Sequence, residues 1–475
     1  MKRFLVWMLT AALLLPLALT MSACSPQEDD PLPSTPSDDP NTPSEEIPET
    51  PADEPDNQPA DEPVDDGYAD TQSDITDYLN VFGRTPVKNG GLTMFWTNSG
   101  FSFAFCGTGV KANINTSTTN GTYYGYLNVY IDGATTPTST ICIDKNGTYT
   151  LAADLPNGDH TIEVRKRNEA IYGDSATLTL KKLTVTDGRF NKTPPKAPKY
   201  TIEFIGDSIT SGFGNMVTDG GGAGANFSTH TQDGTMTYAT MAARASDCNA
   251  SVLSRSGICY VTGADRDSIY PYYVNTANLP GNGADATDWD FDAHPVDLIV
   301  INLGTNDTGA RIDGKPISAA QYQTLAYNFL RLVRVNNPDA TIIWAYGMIT
   351  HSGGDPIQAA VEQCNDEGDD EIYYCPLPTM NSTNEGVGVH GHPDYLSHLI
   401  SAVALTDFLE ENTFLYVDYT PMLRDAVLIA QQYLDNSADI LLDAEDLLNN
   451  GGDSEQAKQA IQEIIDACTT AFRGK

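Results

Sequence analysis

Hydrophobic positions change their period twice along the chain. Across residues 67–190 apolar and polar side chains alternate in short runs, among them Phe101-Ser102-Phe103-Ala104-Phe105 and His160-Thr161-Ile162-Glu163-Val164-Arg165, with Gly, Asn and Asp turns between them. Strict alternation puts every second side chain on one face, so this region is predicted to be an antiparallel β-sandwich. From Pro194 the rhythm becomes strand, loop, helix, with strands predicted at 201–205, 250–253, 296–303 and 341–346 and helices at 237–245, 319–335 and 395–409. Alternating elements of this kind predict a parallel sheet covered by helices, an α/β domain over 191–413. Beyond about residue 419 the period is helical three times over. Met422, Ala426, Ile429, Ala430 and Tyr433 mark one helix; Ile440, Leu441, Ala444, Leu447 and Leu448 a second; Ala457, Ile461, Ile464, Ile465, Cys468 and Phe472 a third. Residues 414–475 are therefore expected to form either a small helical bundle or a helical cap packed on the α/β domain.

The N-terminus has a different composition. Lys2 and Arg3 precede an apolar run over 4–20 and then Met21-Ser22-Ala23-Cys24, which predicts a signal peptide over 1–24. Cys24 resembles the lipid acceptor of a bacterial lipoprotein signal, with Met21 where Leu is usual. Residues 25–66 carry 15 acidic residues and no Lys or Arg. So acidic and proline-rich a segment cannot bury enough apolar surface to fold, and it is expected to be a disordered, extended linker on the order of 100 Å long. The expected location is extracellular, tethered to a bacterial cell membrane or outer membrane through Cys24.

Charge and cysteine content narrow the partners. The formal net charge is −38, and about −23 remains without the linker, which disfavours nucleic acid and suits a neutral substrate better than an anionic one. Eight cysteines in an exported chain make Cys106 with Cys142, Cys248 with Cys259 and Cys364 with Cys375 candidate disulfides. No cysteine has metal-ligand spacing with histidine, so neither a metal nor a cofactor is expected.

Candidate chemistry lies at predicted strand ends. The strand at 201–205 runs into Gly206-Asp207-Ser208, that at 250–253 into Ser254-Arg255-Ser256-Gly257, and that at 296–303 into Gly304-Thr305-Asn306-Asp307. In open α/β sheets ligands sit at the carboxyl ends of strands, so these three turns gather on the reactive edge. Ser208 needs a base and oxyanion donors to act as a nucleophile. His392 in Gly388-Val389-His390-Gly391-His392-Pro393-Asp394 precedes a predicted helix and can lean over that edge. Asp394 is expected to cap that helix, while Asp207 and Asp307 are expected to accept local loop N–H groups. The loops at 219–226 and 270–283 are expected to wall the cleft.

Gly206-Asp207-Ser208, Gly257, Gly304-Thr305-Asn306-Asp307 and His392-Pro393 resemble, in this order, the four blocks of the SGNH or GDSL hydrolases. Phe82-Gly83-Arg84-Thr85, the segment 96–107, Lys166-Arg167-Asn168-Glu169-Ala170 and residues 297–307 are similar to carbohydrate esterase family 2. The resemblance spans about residues 78–409 and implies a jelly-roll-like sandwich joined to a flavodoxin-like SGNH domain. It implies removal of acetyl groups from plant-type polysaccharides such as xylan and glucomannan. On it Ser208 is the nucleophile, His392 the general base, and the Ser208 and Gly257 backbone N–H groups with the Asn306 amide form the oxyanion hole. Val389 stands where most SGNH enzymes have an Asp, so a Ser-His dyad with a backbone carbonyl behind the imidazole is expected, as in some family members. The C-terminal helices are weakly similar to FIVAR modules, which would give them a protein partner. The alternatives are an SGNH esterase for other acyl esters, lipid or aryl, and a non-catalytic glycan-binding lipoprotein.

Overall fold

In this computed structural model, residues 68–69, 75–88, 90–118, 121–170, 175–218, 226–275, 288–380 and 386–473 are described. The expected signal peptide, Cys24, the acidic linker and most of the 219–226 and 276–283 loop residues lie outside them. The alternating region forms β1 (Tyr68–Ala69), β2 (Asn80–Phe82), β3 (Val87–Lys88), β4 (Gly91–Met94), β5 (Gly100–Gly107) and β6 (Gly109–Thr116). It continues with β7 (Gly125–Ile131), β8 (Ser139–Ile143), β9 (Gly147–Ala152), β10 (Gly158–Lys166), β11 (Leu178–Thr186) and β12 (Arg189–Asn191). One antiparallel sheet runs β1-β12-β5-β10-β7-β8, with β2 also on β5, and the second runs β3-β4-β11-β6-β9. Phe101, Phe103 and Phe105 from the first sheet meet Leu178, Leu180 and Leu183 from the second in one core. These aromatics are consumed by the interior, as sandwich packing requires.

The α/β region follows with β13 (Tyr200–Gly206), α1 (Ser208–Ser211), α2 (Tyr238–Ala245), β14 (Cys248–Ser254), α3 (Tyr270–Val274) and β15 (Leu298–Asn302). After the small hairpin β16 (Arg311–Ile312) and β17 (Lys315–Pro316) come α4 (Ala319–Asn336), β18 (Thr341–Met348), α5 (Gly354–Asp366), β19 (Ile372–Thr379) and α6 (Tyr395–Asn412). The parallel sheet has the order β14-β13-β15-β18-β19, a doubly wound sheet whose direction of growth reverses at β13. Alternation sends Ile202, Phe204, Val252 and Val300 to one face, under α2 and α6. Ile205, Leu253, Ile299 and Ile301 go to the other, under α4 and α5, where Phe95 and Trp96 of the sandwich join the same core. A strand was expected between Cys364 and Cys375, but Cys364 lies on α5, which the pattern did not signal, and Cys375 lies within β19.

Three C-terminal helices, α7 (Thr420–Ala430), α8 (Asp439–Asn450) and α9 (Ser454–Arg473), complete the described chain. Met422, Ala426, Ile461 and Ile464 from these helices share an apolar core with Ala242 of α2 and Leu399 and Leu405 of α6. Arg244 of α2 also pairs with Asp425 of α7 at 2.7 Å.

None of the three candidate disulfides forms among the described residues. Cys106 on β5 and Cys142 on β8 are separated by β10 and β7 in the sheet. Cys248 begins β14 whereas Cys259 lies beyond its far end, and Cys364 and Cys375 are buried in different cores. A disulfide requires Cα atoms within about 7 Å, which sequence proximity did not provide.

Candidate active site

Gly206 ends β13 and turns the chain directly into α1; a Cβ there would run into the Thr210 side chain. Asp207 caps α1, its Oδ1 accepting the Ile209 N–H at 2.9 Å, and Ser208 is the first helical residue. Ser208 thus sits at the carboxyl end of the strand where the sheet reverses. Its side chain is largely buried, at 6% exposure.

His392 reaches the serine from the loop before α6. Its Nε2 lies 2.8 Å from Ser208 Oγ, and its Nδ1 lies 3.1 Å from the Val389 carbonyl oxygen. With a proton on Nδ1 donated to that carbonyl, Nε2 is left as an acceptor for the serine proton. The short turn that brings this carbonyl round passes through His390 at φ +53°. Burial lowers the His392 pKa below its ordinary value, and the bond to Val389 opposes the shift. Asp394 does not face the imidazole: Oδ1 caps α6 by accepting the Ser397 N–H at 3.1 Å, and Oδ2 accepts the Tyr433 hydroxyl. The Phe213 ring packs against His392 with centroids 4.6 Å apart and stacks on Phe227 at 3.9 Å.

The other two turns meet this pair. Asn306 Nδ2 donates to Asp207 Oδ2 at 3.1 Å and to the Ile258 carbonyl at 3.0 Å, bridging the residue before Ser208 and the residue after Gly257. Arg255-Ser256-Gly257-Ile258 is a tight turn with Ile258 N–H on Arg255 O at 3.3 Å and Gly257 at φ +82°. That combination is a type II turn, in which Gly is favoured at the third position. Asp307 Oδ1 accepts the Val261 N–H at 2.9 Å. Burial pushes both Asp207 and Asp307 up to about 7, against the N–H groups that each accepts.

Two features of the site went unread in the sequence. Asp207 contacts the Asn306 amide, which its place in a turn did not suggest. Glu169, from the loop after β10, enters the same neighbourhood, its Oε2 accepting the Ser256 N–H at 2.7 Å. The signal was present in the charged run Lys166-Arg167-Asn168-Glu169-Ala170, whose buried destination periodicity does not reveal. The expected wall at 270–283 is corrected in its described part: Tyr272 and Tyr273 of α3 are buried core residues, and Tyr273 OH accepts from Asn337 Nδ2 at 2.7 Å.

A serine at a doubly wound sheet edge, paired with an imidazole on a following loop, is the arrangement of a serine hydrolase, and family comparison gives its class as the SGNH or GDSL fold. Residues 202–383 match the GDSL-like lipase/acylhydrolase family, and residues 81–195 match the carbohydrate esterase 2 N-terminal family. The chain is 30% identical over 319 residues to the cellulase/esterase CelE of Acetivibrio thermocellus, covering 66% of this chain and 36% of that protein. It is 26% identical over 344 residues to an acetylxylan esterase/glucomannan deacetylase of Cellvibrio japonicus, covering 70% and 88% respectively. A solved family two carbohydrate esterase from Clostridium thermocellum, in complex with cellohexaose, superimposes with a TM-score of 0.61 at 26% identity over 70% of this chain and 98% of that one. The two matches lie side by side, and across both the chain is similar to family 2 carbohydrate esterases. It spans about a third of the length of CelE, 36%, and most of the Cellvibrio protein, 88%.

Proposed function

We propose that the protein is a serine esterase that removes O-acetyl groups from plant-type polysaccharides such as xylan and glucomannan, through an acetyl-enzyme intermediate. The observation that carries this reading is the contact of Ser208 Oγ with His392 Nε2 at 2.8 Å, with the Val389 carbonyl behind the ring. His392 takes the serine proton as Oγ attacks the acetyl carbonyl, and returns it to the sugar oxygen as the C–O bond breaks and that oxygen leaves as a hydroxyl. Water then attacks the acetyl-enzyme by the same route, releasing acetate. The oxyanion formed in each half-reaction is held by the Ser208 and Gly257 N–H groups and by the Asn306 amide, which turns to it one of the two N–H groups that otherwise bond Asp207 and Ile258. The acetyl-directed reading draws on the relatives, one of them named an acetylxylan esterase/glucomannan deacetylase.

Cys24 carries the lipid that tethers the enzyme outside the cell, with 25–66 as spacer, and the C-terminal helices form a module with a surface for a protein partner. Metabolic labelling with a tagged palmitate, lost in Cys24→Ala, tests the anchor. Acetate release by the full chain from acetylated xylan and glucomannan, compared with Ser208→Ala and His392→Ala, tests the chemistry. Release that disappears in both variants is expected. Equal release by Ser208→Ala would sink the mechanism.

A further inference from the structure

The Ser256-Gly257 peptide occupies a position that a tight turn leaves free to choose. Type I and type II turns differ mainly by a flip of the central peptide, and here that peptide carries the Gly257 N–H. If it flipped, the carbonyl of Ser256 would replace the N–H on the side facing the reacting atoms. Gly at 257 permits the type II form but does not exclude the other, since glycine occupies both signs of φ with similar ease. The flip turns only ψ of Ser256 and φ of Gly257, so with Gly257 at φ +82° in the type II form the open variable is where the turn stands against Ser208, and that is set from outside it.

Glu169 makes that contact. It is 1% exposed, and it comes from the sandwich, 87 residues before Ser256. One carboxylate oxygen accepts the Ser256 N–H at 2.7 Å, and the other accepts the Ser256 hydroxyl. Gln232 approaches from a third side, donating through Nε2 to Glu169 Oε1 at 3.4 Å and to the Ser211 carbonyl at 2.9 Å. The turn is also tied to β13 through the Arg255 N–H on the Gly206 carbonyl at 3.2 Å. Ser256 is therefore gripped at two atoms, main chain and side chain, by one rigid acceptor. Two bonds to Ser256 fix where the first half of the turn stands against the sheet edge. Burial raises the Glu169 pKa, with the bonds from Ser256 and the charges of Arg255 and Lys166 opposing it.

We propose that Glu169 is a positioning residue, supplied by the β-sandwich, that fixes where the Arg255-Ile258 turn stands against the Ser208 edge and so the place from which the Gly257 N–H meets the oxyanion. The inference rests on the role assigned above to Gly257. It gives the sandwich a part in the chemistry, because the hydrolase domain alone lacks the group that sets this donor.

Glu169→Gln and Glu169→Asp in the full chain separate the effects of geometry and charge. Gln keeps the length, can accept the Ser256 N–H and can donate to the Ser256 hydroxyl. Asp keeps the charge but draws the carboxylate back by one methylene. Glu169→Asp is expected to lower kcat about 10- to 100-fold with KM little changed, and Glu169→Gln to stay within about five-fold of the parent. The rate of Ser208 labelling by a fluorophosphonate, whose phosphoryl oxygen uses the same donors, should fall in the same order. Counting labelled sites at completion corrects kcat for any misfolded fraction. Asp equal to the parent in kcat per labelled site and in labelling rate overturns the proposal. So does a larger loss in Gln than in Asp, which would make charge and not placement the requirement. A parent that labels but does not deacetylate removes the substrate reading and leaves this test standing. A parent that neither labels nor turns over removes both.

Discussion

Two buried glutamates sit at the seam between the sandwich and the parallel sheet, and they are held in opposite ways. Glu203 belongs to β13 and receives Arg84 of the sandwich as a two-pronged pair, Nε to Oε1 and Nη2 to Oε2, each at 2.8 Å. Arg84 also donates to the Tyr273 carbonyl at 2.5 Å and is stacked among Tyr273, Trp289 and Phe291. Glu169 runs the other way, from the sandwich into the sheet edge, and its partners are the N–H and hydroxyl of a single turn residue. A charge met by a planar opposite charge binds two layers together and is indifferent to which loop lies nearby. A charge met by a turn's own donors fixes where that turn stands. The first contact is a structural tie, and the second reaches the site.

Breaking the tie gives the largest effect on folding. Arg84→Met leaves the Glu203 carboxylate buried without its cation, at an expected cost of about 3–5 kcal/mol in chemical denaturation. Activity per folded molecule should stay near the parent's. A fall in kcat comparable to that of Glu169→Asp would erase the contrast between the two glutamates.

Asn306→Ala acts on the other side of the comparison. Removing one preorganised oxyanion donor typically costs about 10²–10³ in kcat, so steady-state kinetics should show a loss of that order with far less loss of stability than Arg84→Met. Parent-like kcat in this variant would remove Asn306 from the hole and leave its amide a loop brace between Asp207 and Ile258.

The remaining effects are pH-dependent, lie away from the seam and are felt only in acid. His398 of α6 is fully buried, its Nδ1 accepts the Tyr238 N–H at 3.2 Å, and burial lowers its pKa to about 3. The folded value lies below the unfolded one of about 6.5. Its stabilising contribution is therefore complete above about pH 6.5 and is lost as pH falls toward 3, by up to about 1.4 kcal/mol per unit. Denaturation midpoints should fall over that range in the parent and fall less in His398→Gln; parallel curves would refute the assignment. His392 is shifted the same way, so the acid limb of kcat/KM should lie below the ordinary histidine value.

Much of the fold was legible because strand and helix periods are properties of the local chain. The switch from alternation to strand-loop-helix at Pro194 marks the passage from β12 to β13, and the three C-terminal helices follow their apolar spacing. Helix ends were similarly local: Asp394 caps α6, and Asp453 accepts the Gln456 N–H at 2.9 Å at the start of α9. Less was legible where partners are distant. Cys364 of α5 and Cys375 of β19 are 11 positions apart in the chain yet are buried in different cores, while Glu169 and Ser256, 87 apart, are in contact.

From the sequence alone came the order of Ser208, Gly257, Asn306 and His392 at predicted strand and loop ends, and the absence of an acid at Val389. Tertiary structure decided that Ser208 and His392, 184 positions apart, meet at 2.8 Å. It also decided that the Val389 carbonyl backs the ring, because a chain turning at positive φ through His390 aims that oxygen inward. Covalent geometry sets which side chains share a face. Which buried polar group satisfies which is settled only when the layers close and each donor, cut off from water, must find its acceptor within the protein.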